Sequence, residues 1–366
     1  MYADVYKNKK VLITGNTGFK GSWLTIWLLK LGAKVYGISN EIPTAPSIFE
    51  SHKLKDKIDY FETDIRDLEA IKRLINKIQP DFVFHLAAQP IVSLSYGNPV
   101  DTITTNVIGT ANILEALRLS NHRCDAIIIT SDKCYDNVEW VWGYKETDAL
   151  GGKDIYSGSK GAAEIIFKSY YHSFFKKEES NVHIVSARAG NVIGGGDWAA
   201  DRIVPDCIRA WSEKKIVEIR NPNATRPWQH VLEPLSGYLD LGMHLNKNKY
   251  LSGESFNFGP RSEYSHSVIE ILEDLSKHWS FKNLNEAFKI TGNIKFHEAG
   301  LLKLNCDKAL FHLKWVSTLD YNKLISFTGV WYYNYYNSTN DMFDFTVGQI
   351  NDFEKLAQEK EIAWTK

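Results

Sequence analysis

The sequence has few cysteines and no pattern that would pair them. The four cysteines among the 366 residues stand at positions 124, 134, 207 and 306, with no CxxC pair and no regular spacing. A chain of this length can bury a large core without disulfides. We therefore expect reduced thiols, and no spacing of cysteine, histidine or carboxylate residues indicates a metal site.

The sequence also lacks an excess of charge and a long apolar run. Its 43 basic and 44 acidic side chains leave a net charge of -1, which argues against nucleic-acid or anionic membrane partners. The most apolar early stretch, residues 23–31, is interrupted by Lys30, and no apolar segment follows the first lysines. We expect a cytoplasmic protein in which any anionic ligand is met by local positive charges.

What is present is a regular alternation of strand-like and helix-like segments over the first two thirds of the chain. Short apolar runs predict strands at 9–15, 34–39, 57–64, 81–88, 125–132 and 181–190. Helical spacing of apolar residues predicts helices at 19–31, 67–78, 99–119 and 156–175. This alternation predicts an α/β fold with a doubly wound, Rossmann-type parallel sheet covered by helices on both sides.

The alternation ends near residue 193, just before three consecutive glycines. We predict a first domain over residues 1–192 and a smaller C-terminal lobe over 193–366 that binds the substrate, with some segments returning to the first domain. The lobe is predicted to contain helices at 201–211 and 265–279, strands at 216–220, 255–258 and 293–297, and a tail helix capped at 346–349.

A glycine-rich turn follows the first predicted strand directly. It consists of Gly15, Asn16, Thr17, Gly18, Phe19, Lys20 and Gly21. Glycine allows a tight turn and a close approach of backbone amides to a diphosphate, and the start of the next helix favours an anion. Such a turn alone is weak evidence, but at this place in the pattern it indicates a dinucleotide-binding domain.

The residues at the end of the second strand do not by themselves decide between NAD and NADP. The acidic residue expected there to bind the ribose is replaced by Ser39, with Glu41 two residues later. No arginine or lysine lies between Val35 and His52 to bind a 2′-phosphate. We favour NAD over NADP as the cofactor.

Two further stretches carry groups for proton transfer. Tyr156 and Lys160 are four residues apart, so they share one face of the predicted helix, where the lysine charge would favour the phenolate. Ser131, Asp132 and Lys133 end the fifth strand, at the sheet edge where ligands bind in open α/β folds. Each pair also has a plainer interpretation, as a surface Tyr–Lys pair and as a neutralised structural ion pair.

Five motifs that follow one another along the chain resemble those of a known enzyme family. They read TGNTGFKGSWL, SDKCYDN, GYKETDALGGKDIYSGSKGAAE, SARAGNVIGGGDWAADRIVPD and RPWQHVLEPLSGYL. Together, from about residue 8 to 335, they resemble the CDP-glucose 4,6-dehydratase family, which belongs to the extended short-chain dehydrogenases/reductases. The resemblance implies an NAD-dependent lyase that converts CDP-glucose to CDP-4-keto-6-deoxyglucose, a deoxysugar precursor for surface polysaccharide such as lipopolysaccharide O-antigen. It also implies a homodimer or homotetramer formed through the two long helices.

The same resemblance implies roles for particular residues. Tyr156, Lys160 and Ser131 would act at the C4 oxygen, Lys133 as the base at C5 and Asp132 as the acid at the 6-hydroxyl. Related dehydratases commonly have Asp-Glu where this chain has Asp132-Lys133. Further cofactor-binding residues would be Asp64, Ile65, Leu86, Ala87, Ala88, Gln89 and Asn106, together with Tyr156 and Lys160. Substrate-binding residues would be Gln89, Ser131, Asn191, Arg202 and Arg226.

Other functions remain open on the residues alone. A 4-epimerase needs only Ser131, Tyr156 and Lys160, so Asp132 and Lys133 argue for dehydration. A dehydratase that uses another nucleotide fits equally well, because no residue type selects cytosine. A non-catalytic dinucleotide sensor could lose Tyr156 or Lys160, and both are present.

Overall fold

A computed structural model describes residues 1–219, 221–261, 266–279, 281, 283–291 and 301–366. Its strands are β1 (Lys10–Thr14), β2 (Lys34–Ser39), β3 (Asp59–Glu62), β4 (Phe82–His85), β5 (Cys124–Ile129), β6 (Val182–Ala189), β7 (Val192–Ile193), β8 (Val217–Ile219), β9 (Thr225–Arg226), β10 (Gln229–His230), β11 (Ser255–Phe258), β12 (His266–Ser267) and β13 (Phe288–Ile290). Seven of them form one parallel sheet in the order β11-β6-β5-β4-β1-β2-β3. This confirms the predicted Rossmann-type sheet.

Helices connect and cover the strands. They are α1 (Phe19–Lys30), α2 (Ile48–Ser51), α3 (Leu68–Ile78), α4 (Val92–Gly97), α5 (Pro99–Ile103), α6 (Gly109–Arg118), α7 (Ile155–Tyr170), α8 (Ile203–Ser212), α9 (Leu232–Lys247), α10 (Val268–Ser276), α11 (Asp307–Leu313), α12 (Tyr321–Asn337) and α13 (Met342–Glu359). A π-helical segment at Thr104–Ile108 joins α5 to α6, and another at Tyr171–Phe175 extends α7. None of the helices in the described ranges is long and apolar enough to cross a membrane.

Apolar residues on both sides of the strands explain the two layers of helices. In β1, Leu12 belongs to the core beneath α3, α6 and α7, whereas Val11 and Ile13 belong to the core that includes α1, α9 and α13. Successive strand residues point to opposite faces, so a fully apolar strand buries surface against both layers.

The six strands and four helices predicted before residue 193 are confirmed, with ends that differ by a few residues. The predicted strand at 255–258 is also present, but it was wrongly assigned to the second lobe. It pairs in parallel with β6 as the outer strand of the main sheet, and its four residues are buried. The strand predicted at 293–297 and the ends predicted at 220 and 265 lie outside the described residues.

Other late segments also pack on the first part of the chain. Helix α9 packs on β5 and β6, and Glu354 of α13 accepts a hydrogen bond from Trp27 of α1 at 2.8 Å. The division at residues 192 and 193 stays a prediction. The capping position predicted for the tail helix is wrong, because α13 begins at Met342 with Asp341 as its cap, and Thr346 is buried inside it.

The strand order defines where a ligand can bind. Strands β1 and β4 are neighbours in the sheet. After β1 the chain continues to β2 in one direction across the sheet, and after β4 it continues to β5 in the opposite direction. Loops after two such strands diverge and open a crevice at the carboxyl edge of the sheet. The ends of β5 and β6 lie at the same edge.

Candidate active site

The turn after β1 is held so tightly that two of its glycines cannot be replaced without movement. Gly15 has a φ of +73°, and a Cβ there would lie 2.7 Å from the backbone nitrogen of Ala87. A Cβ on Gly21 would lie 2.1 Å from the carbonyl oxygen of Gly15. Gly18 is less constrained, since the nearest atom to its Cβ would be 3.5 Å away. Glycine therefore lets α1 and the loop after β4 close around the turn.

Ser39 replaces the expected ribose-binding acid and supports the same turn. Its hydroxyl donates to Asn16 Oδ1 at 3.0 Å and accepts from the amide of Thr17 at 3.4 Å. Thr17 Oγ1 donates to the carbonyl oxygen of Glu41 at 2.7 Å. The end of β2 thus has a structural role that a carboxylate would not fill.

Asp64 and Ile65, which were predicted to bind the cofactor, follow β3. Asp64 accepts from the backbone and guanidinium of Arg66, and this interaction is the main reason that the pKa of Asp64 is lowered. Ile65 is buried, and a Cβ added to Gly109 would lie 2.4 Å from its Cδ1. Asp64 is already bound to an arginine, and the side chain of Ile65 belongs to the core.

The loop after β4 is fixed to β1 at its start. The amide of Leu86 donates to the carbonyl of Thr14 at 3.0 Å, and that of Ala87 donates to Thr14 Oγ1 at 3.2 Å. Ala88 follows them in the chain, and Leu86 and Ala87 lie next to Gly15 of the glycine-rich turn. These residues form the second wall of the crevice between β1 and β4.

Asn106 connects this loop to the helix that carries the tyrosine. It lies in the π-helical segment, accepts from the amide of Gln89 at 2.8 Å and donates to Ser159 Oγ at 2.9 Å. The side-chain amide of Gln89 is occupied by Thr102 and by the backbone of Ile91. π-Helical segments are often found at functional sites.

Ser131, Asp132 and Lys133 form a short turn immediately after β5. Ser131 caps the 3₁₀ turn that begins at Asp132, because its hydroxyl accepts from the amide of Lys133 at 3.3 Å. The same hydroxyl donates to Asp132 Oδ1 at 2.9 Å. Ser131 and Asp132 are buried, and Lys133 is half-buried.

The end of β6 holds the carboxylate of Asp132 from the other side. Asn191 has a left-handed φ of 52° and donates through Nδ2 to Asp132 Oδ2 at 3.5 Å. A Cβ added to Gly190 would lie 1.8 Å from the same oxygen. Asn191 was predicted to bind the substrate, whereas Gly190 was not predicted, because a glycine at a strand end was its only signal in the sequence.

Tyr156 and Lys160 are both buried in the first turns of α7, which begins after its cap Asp154. The pKa of Tyr156 is raised to about 12, chiefly by burial, although hydrogen bonding with Ser131 and the charge of Arg202 act in the opposite direction. Burial also lowers the pKa of Lys160 to about 8. In the chain alone, burial outweighs the positive charge that was expected to favour the phenolate.

The two predicted phosphate-binding arginines occupy different surroundings. Arg202 precedes α8 and pairs with Asp197 at 2.9 Å, and its charge acts on Tyr156 and on Lys20. Arg226 lies on β9 and donates to the carbonyl of Thr225 at 2.9 Å. The structure therefore brings Arg202 into the group around Tyr156.

A buried ion pair behind the site was missed by the sequence analysis. Glu164 and Arg188 pair at 2.8 Å with both side chains fully buried. Arg188 also donates to the Tyr135 hydroxyl at 2.7 Å, and Tyr135 donates to Asn257 Oδ1 at 2.8 Å. The network connects α7, β6 and β11 with the turn after β5. The feature of the sequence that could have indicated this network is Glu164, which lies four residues after Lys160 on the same helix.

His85, in β4, is held by hydrogen bonds within the core. Its two ring nitrogens contact Thr14 and Thr110, and burial lowers its pKa to about 3. Among the residues that the structure describes, no group of three or more histidine, cysteine, aspartate or glutamate side chains is arranged to hold a metal ion.

Known proteins match most of this chain. The family model described as GDP-mannose 4,6 dehydratase matches residues 12–328. A CDP-glucose 4,6-dehydratase of Salmonella typhimurium is 45% identical over 315 residues, which cover 85% of this chain and 87% of that protein.

Solved structures share the fold at lower sequence identity. A UDP-glucose 4-epimerase of Thermotoga maritima with UDP-glucose has a TM-score of 0.75 at 20% identity, covering 88% of this chain and 97% of that one. A UDP-glucuronic acid 4-epimerase of Bacillus cereus with its substrate and NAD has a TM-score of 0.74 at 23% identity, covering 89% and 99%.

Proposed function

The chain belongs to the GDP-mannose 4,6-dehydratase family, and on this basis we propose that it is an NAD-dependent CDP-glucose 4,6-dehydratase. It is a hydro-lyase that forms CDP-4-keto-6-deoxyglucose. The observation that carries the proposal is the buried Asp132 carboxylate, which lies with Lys133 beside the Ser131 and Tyr156 pair. An acid and a base at this position provide the two proton transfers that dehydration requires and epimerisation does not.

The crevice between β1 and β4 fits NAD. Gly15 and Gly21 keep the turn free of side chains at the start of α1, where a diphosphate is favoured. Three further parts would complete the NAD site, namely Gly18, the loop of residues 86–89, and Asn106. When bound, NAD would supply a hydride acceptor for C4 and a hydride donor for C6 of the sugar, and its positive charge would favour ionisation of a neighbouring phenol.

Tyr156 would remove the proton of the sugar 4-hydroxyl as C4 is oxidised to a ketone. Ser131 would hold the same oxygen through its hydroxyl, and the positive charge of Lys160 would favour the phenolate. Burial raises the pKa of Tyr156 to about 12, so this step would be favoured by positive charge near the phenol, which bound NAD would supply.

Lys133 and Asp132 would carry out the elimination. The 4-ketone acidifies the C5 hydrogen, so the Lys133 amine can remove it as a proton. Asp132 would give a proton to the departing 6-hydroxyl, which leaves as water. The Lys133 ammonium would return the proton to C5 as C6 takes up the hydride, and the net change is the loss of one water.

Arg202 and Arg226 would bind the diphosphate of the substrate, because a guanidinium offers several donors to phosphate oxygens. Asn191 contacts Asp132 and would also face the substrate. Gln89 would act through the position of its loop, since its amide is bound to Thr102 and Ile91.

We expect the purified chain to convert CDP-glucose in preference to UDP-glucose, dTDP-glucose and GDP-mannose, and to bind NAD more tightly than NADP. The measurements are 4-keto-sugar absorbance in alkali after incubation with each nucleotide sugar, and calorimetric dissociation constants for both dinucleotides. A 4-epimer without keto product would overturn the proposed reaction, and tighter NADP binding would overturn the cofactor.

We also propose that the chain forms a homodimer or homotetramer through α5, α6 and α7. These helices and their π-helical segments expose large apolar side chains, namely Val100, Ile103, Ile108, Ile155, Ile165 and Phe174. Several exposed large apolar side chains on helices that pack together are typical of a protein interface.

Val100→Glu combined with Ile165→Glu should convert the oligomer to monomers, because each buried carboxylate would lack a partner. Sedimentation velocity measures the change. Phe311→Glu, an equally exposed apolar position on α11, is the matched control and should leave the oligomer intact. A monomeric wild type, or an oligomer that survives the double substitution, contradicts the proposed interface.

The proposed location is the cytoplasm, where NAD and nucleotide sugars are available. The four cysteines are unpaired, as is usual in a reducing compartment. The product would enter deoxysugar synthesis for a surface polysaccharide such as lipopolysaccharide O-antigen.

A further inference from the structure

Lys20 occupies a position where a helix does not favour positive charge. It is the second residue of α1, where the free backbone N–H groups already provide a partial positive charge. Its side chain is half-buried, and its pKa is lowered to about 8 by burial and by the nearby charge of Arg202. Such a lysine has an unfavourable environment unless an anion binds next to it.

The packing of α1 shows which way this lysine faces. Trp23 donates through its indole nitrogen to the carbonyl of Gly195 at 2.8 Å. Lys20 is three residues before Trp23, so it lies on the same face of α1, one turn closer to the start of the helix. Phe19 borders the same segment, because a Cβ added to Gly194 would lie 3.3 Å from its Cζ. This face of α1 is directed toward the segment after β7.

The charged groups that act on Lys20 come from the substrate side of the site. They are Arg202 and Lys160, which lower its pKa, and Asp132 and Asp197, which raise it. Asp197 is paired with Arg202 at 2.9 Å, and Asp132 is hydrogen-bonded to Ser131 and Asn191. Lys20, Lys160 and Arg202 therefore meet near two acidic side chains, of which Asp197 is already paired with Arg202, and an anion would balance the remaining positive charge.

We propose that Lys20, although it belongs to the glycine-rich turn, binds the diphosphate of CDP-glucose together with Arg202 and does not bind the pyrophosphate of NAD. The inference rests on the proposed function and assigns one further substrate-binding residue to that site. Lysine supplies a compact charge with three donors, which complements the planar donors of Arg202.

Lys20→Met should raise the KM for CDP-glucose on the order of ten- to a hundredfold, which is the range for losing one charge-assisted hydrogen bond. The dissociation constant for NAD, measured by calorimetry, should change less than about twofold, within the scatter expected for a contact that is not made. Lys34→Met, an exposed lysine at the start of β2, is the control and should leave both values unchanged.

The pH dependence of the affinity for CDP-glucose is a further measurement, and it would not change if Lys20 had only a structural role. Affinity of the wild type for CDP-glucose should decrease as pH rises through about 8, where Lys20 loses its proton. Lys160 titrates in the same range, so the comparison is with Lys20→Arg, which stays charged. The arginine variant should restore the KM and lose part of this pH dependence.

Weaker NAD binding by Lys20→Met with an unchanged KM for CDP-glucose would overturn the inference, and so would equal losses in both. If the wild type turns over a different nucleoside diphosphate sugar, the proposed substrate is wrong. The same comparison of KM with the NAD dissociation constant, made with that sugar, then still decides the role of Lys20.

Discussion

Lys133→Met should lower kcat for the dehydration of CDP-glucose by about a hundred- to ten-thousandfold, the range for a positioned acid or base. Methionine keeps the length of the side chain but cannot accept the C5 proton. NAD binding should be unchanged, because the substitution removes no part of the crevice between β1 and β4. Steady-state formation of the 4-keto product measures the first effect, and calorimetry measures the second.

Asp132→Asn should lower kcat by a similar factor for a different reason. The amide keeps the shape of the carboxyl group, and Ser131 and Asn191 remain beside it. It cannot, however, supply the proton that the departing 6-hydroxyl requires. Elimination should stop while removal of the C5 proton continues.

Exchange of the C5 hydrogen in deuterated buffer separates the two roles. Lys133→Met should show neither exchange nor product, whereas Asp132→Asn should show exchange without product. Lys168→Met, an exposed lysine farther along α7, should behave as the wild type. Exchange at the wild-type rate in Lys133→Met would contradict the assignment of Lys133 as the base.

The sequence predicted those parts of the fold that depend on local patterns. Strands such as β1 and β5 are apolar on both faces, and only a buried parallel sheet accommodates them. Strand β11 alternates polar and apolar residues, and its pairing with β6 depends on a contact between distant segments, so it was assigned to the wrong part of the molecule. Likewise, Thr346 resembled a helix cap, but the cap is Asp341, five residues earlier.

In the site, too, the sequence predicted what depends on local patterns and not what depends on contacts between distant segments. The glycine-rich turn and the Ser131 to Lys133 turn are continuous in sequence, so their order and spacing were sufficient to find them. Ser39 was expected only as a missing acid, and its hydrogen bond with Asn16 depends on the pairing of β1 with β2. The Glu164–Arg188 pair joins α7 to β6, and no spacing rule relates those two residues.

The close approach of Gly190 to Asp132 indicates that the residue after β6 helps to fix the position of the Asp132 side chain. A Cβ at Gly190 would lie only 1.8 Å from Asp132 Oδ2, so the carboxylate would have to move away. A misplacement of about 1 Å can cost about a hundredfold in rate. Gly190→Ala should therefore reduce kcat by about a hundredfold while NAD binding is retained.

The kinetics of combined variants decide whether this loss acts through Asp132. Adding Gly190→Ala to Asp132→Asn should cause little further loss, because substitutions that disable one catalytic group are not additive. Gly348→Ala is the matched control, since a Cβ there meets nothing within 4 Å. Thermal unfolding of all the variants identifies any that fail to fold. Full activity in Gly190→Ala, or losses that multiply in the double variant, would mean that Gly190 does not act by fixing the position of Asp132.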